Sequence, residues 1–308
     1  MKKVFIDGSA GTTGLRIAER LAGRKDIVLL TLTEEKRKDL AARKQALNES
    51  DIAFLCLPDD AAREAVGLID NPDTVVIDAS TAHRTLPDWA YGFPELSAAH
   101  REKLHTSKRI AVPGCHASGF IALVYPLIEA GVLPKDSLLT CHSITGYSGG
   151  GKKMIAEYES ENRNASLNAP RQYGITQQHK HLKEMKAVTG LENAPVFCPI
   201  VSDFYSGMEV TVPLFQSQIR GDIEEIRKIY QAKYQGEIVR YVESADEGGF
   251  LSGNKLARKD GMQITVCGNE ERILLIALYD NLGKGASGAA IECMNAVLGV
   301  DSSTGLEL

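Results

Sequence analysis

Apolar residues follow two different rhythms along this chain. Over the first 112 residues they form short runs at 3–7, 27–32, 52–57, 74–78 and 110–112. Several of these runs lead through turn residues into helically spaced apolar positions, such as Leu15, Ile17, Ala18 and Leu21, or Ala65, Val66 and Ile69. Uniformly apolar strands alternating with helices predict a parallel sheet covered on both faces, a Rossmann-like doubly wound domain with ligands at the carboxyl ends of its strands. After the run at 110–112 come a tight turn and a long apolar helix that includes residues 120–128.

From residue 138 the strands lengthen and begin to alternate, at 138–144, 196–201, 208–214, 263–267 and 272–279. One helix with an acidic first turn is expected over 222–234, and the Asn-rich stretch 160–173 reads as a long surface loop. These features predict a second domain of mixed or antiparallel sheet with helices on one face. Small residues at 281–290 lead into Ile291, Met294 and Val297, a carboxy-terminal helix expected to return to the first domain. The predicted division is 1–116, 117–284 and 285–308.

The turns after the strands carry the chemistry. Gly8, Ser9, Ala10, Gly11, Thr12, Thr13 and Gly14 lie between the first strand and the first helix, spaced G-x-x-G-x-x-G. A tight turn, close backbone approach and a helix amino terminus suit a dinucleotide pyrophosphate. After the second strand, Glu34 suits a ribose hydroxyl and Arg37 or Lys38 a 2′-phosphate, so the residues alone leave NAD and NADP both open. Pro58, Ser80 to Arg84 and Cys115 fall at further strand ends, which are expected to converge on one crevice. Cys115, at the first turn of its helix after Pro113-Gly114, sits where unpaired N–H groups and the helix dipole favour a thiolate nucleophile.

Ser148 and Gly149, in a Ser/Gly-rich loop ending in Lys152 and Lys153, are candidates for binding phosphate. On a predicted helix, His181 and Glu184 share a face while His179 points elsewhere, and a carboxylate beside an imidazole supports a general base. His181 is therefore preferred over His179 for proton transfer. Arg84 offers a bidentate fork for a substrate carboxylate or phosphate. Without Cys or Asp ligands in spacing, His-x-His is weak for zinc, and no metal is expected.

Composition narrows the partners. Across 308 residues, 44% are hydrophobic and 24% charged, with net charge −5 and no basic run, so no nucleic-acid or membrane partner is expected. Six scattered cysteines make no C-x-x-C pair, and Met1 to Asp7 is too short in apolar residues for a signal peptide. A cytoplasmic protein with reduced thiols is expected.

These segments, together with Tyr91-Gly92-Phe93-Pro94-Glu95-Leu96 and Asn281-Leu282-Gly283-Lys284-Gly285, resemble the N-acetyl-gamma-glutamyl-phosphate reductases in their shorter form, within the aspartate-semialdehyde dehydrogenase-like group. The longer form has an Arg where this chain has Lys180 and an acidic residue where it has His83. The resemblance implies reversible, NADPH-dependent reduction of N-acetyl-L-glutamyl 5-phosphate to the 5-semialdehyde and inorganic phosphate, in arginine biosynthesis. It also implies a thioester on Cys115, a cofactor contact at Asn281 and a homo-oligomer, dimer or tetramer. The alternatives are a reductase of an aspartyl or aminoadipyl phosphate, a non-catalytic nucleotide-binding regulator, and a hydrolase using Cys115.

Overall fold

The first strand, β1 (Lys2–Asp7), alternates its buried side chains between two layers, which is why Val4, Phe5 and Ile6 are all apolar. Val4 and Ile6 join one cluster with Ile17, Ile52 and Ile77, while Phe5 joins another with Leu47, Ala53 and Leu55. The computed structural model describes all residues 1–308 and divides into two compact units. Unit 1 comprises Met1–Gly114 with Ala286–Leu306, and unit 2 comprises Cys115–Gly285 with Glu307–Leu308.

In unit 1, β1 is followed by α1 (Thr12–Leu21), β2 (Ile27–Leu30), α2 (Leu40–Glu49), β3 (Ile52–Leu55), α3 (Asp59–Gly67) and β4 (Val75–Asp78). Then come β5 (Ala90–Tyr91), α4 (Ala98–Thr106) and β6 (Arg109–Ala111). The six strands are ordered β2-β1-β3-β4-β6-β5 and every pairing is parallel. The order reverses between β1 and its neighbours β2 and β3, so the switch point where doubly wound sheets bind ligands lies at the carboxyl ends of β1 and β3.

Unit 2 opens with α5 (Cys115–Glu129), nearly all buried. Pro126 near its end has no N–H to give the Ala122 carbonyl four residues back, a loss that ordinarily kinks a helix. Here the Tyr234 hydroxyl donates to that carbonyl at 2.6 Å, and the Tyr230 hydroxyl donates to the Leu123 carbonyl. After α5 come β7 (Thr140–Gly146), α6 (Gly151–Tyr158), β8 (Arg171–Gln172), α7 (His181–Thr189), β9 (Val196–Ser202) and β10 (Met208–Phe215). The unit continues with α8 (Ile223–Lys233), β11 (Val239–Tyr241), β12 (Met262–Gly268) and β13 (Arg272–Tyr279). Its sheet runs β11-β12-β13-β10-β7-β9-β8, with β7–β9 and β11–β12 parallel and the rest antiparallel. This is the mixed sheet expected from the alternation. The short β11 and β8 escaped the sequence pattern because two or three residues carry no period.

The last helix, α9 (Gly288–Leu298), belongs to unit 1, where Ala290, Ile291 and Met294 pack into the cluster of Val4, Ile6 and Ile77. A Cβ on Gly92 would lie 2.6 Å from the Cys293 sulfur, so the Tyr-Gly-Phe segment meets α9 at a position only glycine fits. No helix is long and apolar enough to cross a membrane.

Candidate active site

In unit 1 the turn after β1 is shaped by its glycines. Gly8 has φ +86°, and a Cβ there would sit 2.3 Å from the Cys56 carbonyl oxygen; a Cβ on Gly14 would sit 2.5 Å from the Gly8 oxygen. The turn therefore lies hard against the end of β3, and Gly11 caps α1 with no side-chain bond to its first N–H groups and no acidic residue in its first turn. That end of α1 carries positive potential for an anion. Thr12 adds a buried hydroxyl oxygen without a hydrogen-bond partner. A cavity of about 630 Å³ is lined by Gly8, Ser9, Ala10, Glu34, Arg37 and Lys38, among others. Glycine positions that a Cβ would fill and the orphaned Thr12 hydroxyl together fit a dinucleotide.

Around this cavity the structure pairs groups that the sequence left apart. Arg37, in a 3₁₀ turn after β2, donates to Glu34 at 2.6 Å, so the two rival readers of the ribose are bonded to each other. Arg43 reaches from α2 to Asp7, donating from Nη2 at 2.9 Å and from Nε at 3.1 Å, and to Glu64 at 3.0 Å. Burial raises the Asp7 carboxyl above its ordinary range, against the lowering effect of Arg43. Nothing in the spacing of residues 7 and 43 signals this pair. Pro58 stands directly before α3, and Ser80 donates from Oγ to Asp78 at 2.7 Å. Asp78 also meets His83 Nδ1 at 2.6 Å, whose ring stacks on Trp89 at 4.0 Å. The Cys56 thiol is pushed up to about 12, first by burial and then by Asp78 and Asp7, so it is an inert side chain.

Arg84 is anchored to the chain. Its Nε donates to the Val112 carbonyl at 2.8 Å and its Nη2 to the Ala79 carbonyl at 3.0 Å, tying the guanidinium to the backbone after β6 and β4.

In unit 2, Cys115 is the first residue of α5 and is half-buried. Its turn is held from β13: the Tyr279 hydroxyl donates to the Cys115 carbonyl at 2.6 Å and accepts from the Gly119 N–H at 3.1 Å. A Cβ on Gly119 would lie 2.7 Å from that hydroxyl, and one on Gly285 would lie 3.1 Å from the Cys115 Cβ. Small residues here admit the phenol and let the chain approach the nucleophile.

His116, next along, is buried, with Nδ1 at 2.6 Å from Ser143 Oγ on β7 and Nε2 at 2.6 Å from the Tyr173 hydroxyl. Burial, with a smaller contribution from His179, lowers its pKa to about 3, so it is neutral. Three imidazoles gather: the centroid of His116 lies 5.5 Å from that of His181 and 5.8 Å from that of His179, which is 4.8 Å from His181. Phe197 of β9 closes the group, 5.3 Å from His116. Burial and the Lys180 charge lower the His179 pKa.

The expectation that His179 and His181 diverge is corrected here. Helix α7 begins at His181, so His179 lies before it and the helical angle between positions two apart does not apply. His179 is fixed by the preceding turn, where Gln177, at φ +56°, exchanges hydrogen bonds with the Phe197 backbone at 2.7 and 2.8 Å as if it were another strand. The His181 N–H then donates to His179 Nδ1 at 3.3 Å. His181 and Glu184 are both buried in the first turn of α7, whereas His179 is half-buried and the more accessible ring.

Two further segments take a definite form. The Ser/Gly loop with its lysines is a 3₁₀ turn, Tyr147–Gly150, running into α6, which carries Lys152 and Lys153 on exposed positions. Ser148 is buried and accepts from Asn281 at 2.9 Å, while Asn281 accepts from the Gly207 N–H at 2.9 Å. Ser148 and Asn281 thus bind each other and hold this turn, with Gly149 beside the Asn281 amide. The presumed surface loop 160–173 contains a 3₁₀ turn with buried Leu167, then β8, and ends at Tyr173 against His116. Sequence reasoning missed His116, Ser143, Tyr173 and Tyr279, and only the adjacency of His116 to Cys115 could have signalled any of them. No group of three or more His, Cys, Asp or Glu is arranged to hold a metal.

Comparison with known proteins adds the family. Residues 3–104 match the semialdehyde dehydrogenase NAD binding domain and residues 115–281 the semialdehyde dehydrogenase dimerisation domain. The N-acetyl-gamma-glutamyl-phosphate reductase of Sinorhizobium medicae (strain WSM419) is 45% identical over 305 residues, covering 96% of this chain and 98% of that protein. The N-acetyl-gamma-glutamyl-phosphate reductase 2 of Nostoc sp. (strain PCC 7120) is 43% identical over 320 residues, covering 99% of each. Among solved structures, aspartate semialdehyde dehydrogenase II from Vibrio cholerae superposes with TM-score 0.73 at 17% identity, covering 97% of this chain and 98% of its own. At that identity the likeness is one of fold.

Proposed function

The chain belongs to the N-acetyl-gamma-glutamyl-phosphate reductase family of semialdehyde dehydrogenases, a nicotinamide-dependent oxidoreductase family, and we propose that it reduces N-acetyl-L-glutamyl 5-phosphate with NADPH to N-acetyl-L-glutamate 5-semialdehyde and phosphate, in arginine biosynthesis. The observation that carries this reading is Cys115 at the amino terminus of α5 beside a cluster of three histidines, in a chain near 45% identical to such reductases along almost its whole length.

The Cys115 thiolate attacks the acyl carbon; the C–O bond to phosphate breaks, phosphate leaves and a thioester forms. A bound reduced nicotinamide supplies hydride to the thioester carbonyl. The resulting thiohemiacetal collapses to the aldehyde and restores the thiolate. A cysteine at its reference pKa of about 8.5 is only a few per cent ionised at neutrality, so the amino terminus of α5 and an imidazole are needed to favour the thiolate. His179, the more accessible ring, exchanges the proton, and His181 with Glu184 supports it from within α7. The sequence preferred His181 for that exchange; access to substrate favours its neighbour.

Gly8 to Gly14 and the start of α1 hold the pyrophosphate, and Arg37 with Lys38 reads the 2′-phosphate once Glu34 is displaced from Arg37. The chain also self-associates through the exposed face of the unit 2 sheet. Val196 on β9 is 57% exposed and Phe215 on β10 is 63% exposed, with Leu274 of β13 also open, while α5 lies against the β10 and β13 strands from the other side. Apolar positions this open suit a second copy.

The test follows NADPH absorbance during NADP-dependent oxidation of N-acetyl-L-glutamate 5-semialdehyde, with and without inorganic phosphate, in the native protein and in Cys115→Ser. Phosphate-dependent turnover that the variant loses is expected. Turnover only with aspartate semialdehyde would move the substrate to another acyl phosphate and keep the chemistry.

A further inference from the structure

The Tyr279 hydroxyl meets Cys115 at its backbone, and no step above uses that contact. A helix closes its first turn when the N–H of one residue reaches the carbonyl four places back. In α5 those groups belong to Gly119 and Cys115, and the Tyr279 hydroxyl bonds to both, at 3.1 and 2.6 Å. An N–H can only donate and a carbonyl can only accept, so the direction of each bond is fixed. Gly119 donates to the phenol, and the phenol donates to Cys115. Burial, first among the causes, holds that phenol well above its ordinary range, so it keeps its hydrogen at neutral pH.

The group that carries the hydroxyl is rigidly held. Tyr279 is wholly buried at the end of β13, in register with Met208 of β10 on one side and Met262 of β12 on the other. The chain then turns around the buried Asp280 carboxylate, which accepts from the Leu282 N–H at 2.6 Å, the Gly283 N–H at 3.2 Å and the Ser206 hydroxyl at 2.7 Å. That turn carries Gly285 back to Cys115. A Cβ on Gly285 would lie 3.1 Å from the Cys115 Cβ and 3.4 Å from its Cα, so a methyl could enter only by moving its neighbours a few tenths of an ångström. One stretch, 279–285, thus meets Cys115 twice, at the carbonyl and at the root of the side chain.

We propose that Tyr279 is a positioning residue, whose hydroxyl together with the close approach of Gly285 fixes the direction in which the Cys115 sulfur meets a bound acyl carbon. The inference rests on Cys115 being the nucleophile proposed above, and holds whichever acyl phosphate that nucleophile attacks. Attack on a bound carbonyl needs the sulfur in line and within reach, and an error of about 1 Å can cost about a hundredfold in rate. Tyr279 acts through the Cys115 backbone, on aim and not on ionisation.

The experiment compares native protein with Tyr279→Phe and Gly285→Ala in the full chain, each first shown folded by thermal melting. Tyr279→Phe deletes the bridging oxygen and keeps the ring; Gly285→Ala keeps the bridge and crowds Cys115 from the other side. Two rates are read: phosphate-dependent aldehyde oxidation, and carboxamidomethylation of Cys115 by iodoacetamide, followed on the Cys115 peptide by mass spectrometry. A small free reagent approaches the sulfur from any open side, so its rate follows ionisation and access, whereas turnover also follows aim. Expected is a fall in kcat of about tenfold in Tyr279→Phe and about threefold in Gly285→Ala, with KM and the alkylation rate within about twofold of native. Native kcat in Tyr279→Phe overturns the proposal, and so does a loss of alkylation equal to the loss of turnover, which would put Tyr279 to work on ionisation. If Tyr279→Phe does not fold, Gly285→Ala decides, and native kcat there overturns the proposal. Turnover retained in Cys115→Ser removes the nucleophile itself, a failure distinct from these.

Discussion

In unit 1 the candidate anion cradle is backbone from seven consecutive residues, 8–14, whereas the cluster at the start of α5 draws side chains from residues 116, 143, 173, 179, 181 and 279. The first needs small residues and a helix start, so it tolerates little change in shape and is indifferent to most side-chain chemistry. The second needs particular hydrogen-bonding groups at particular distances, and its members are brought together by β7, α5, α7 and β13. Damage to the cradle should therefore appear as lost stability and cofactor binding, and damage to the cluster as lost chemistry on a folded protein.

The largest effect tests the second half of that contrast. Cys115→Ser should lower phosphate-dependent aldehyde oxidation at least about a thousandfold, since a hydroxyl is a far weaker nucleophile at neutral pH, with the melting temperature within a few degrees of native. Gly8→Ala tests the first half. Its Cβ would meet the Cys56 carbonyl at 2.3 Å in a backbone conformation that L residues rarely adopt, so a destabilisation of about 3 kcal/mol or more and weakened NADPH binding are expected in calorimetry. Native-like melting in that variant would mean that the turn has room to spare.

A buried neutral histidine gives the Cys115 cluster a pH signature that the cradle lacks. With the His116 pKa lowered from 6.5 to about 3 on folding, the unfolded chain binds a proton that the folded one refuses between those values. Its contribution to stability is complete above pH 6.5 and declines as pH falls toward 3, by up to roughly 1.4 kcal/mol per unit. In melts across that range, the gap between native protein and His116→Asn should narrow as pH falls. A constant gap would show that His116 binds its proton equally well in the folded and unfolded chain. The smallest effect belongs to the cofactor side: Arg37→Ala should raise the KM for NADPH about tenfold and leave that for NADH unchanged. An equal rise for both cofactors would remove Arg37 from the 2′-phosphate.

Tyr279 and Arg84 mark how far local sequence carries. Arg84 stands in a loop at a strand end, and only the path of the chain shows that the carbonyls of Ala79 and Val112 accept from two of its nitrogens. Tyr279 ends an ordinary apolar strand, yet its hydroxyl bridges two backbone groups at the start of α5, 160 residues earlier in the chain. Ser148 and Asn281, legible as polar residues in glycine-rich stretches, turn out to bind each other.

The sequence by itself determined the doubly wound first unit, the glycine turn and Cys115 at a helix start, because each depends on periodicity, backbone freedom and neighbours within a few residues. Tertiary structure alone decided which side chains gather about His116, that His179 and His181 converge, and that Asp7 pairs with Arg43. Those outcomes depend on sheet order, strand register and the end of a helix, which bring distant residues within hydrogen-bonding range and leave no local pattern in the chain.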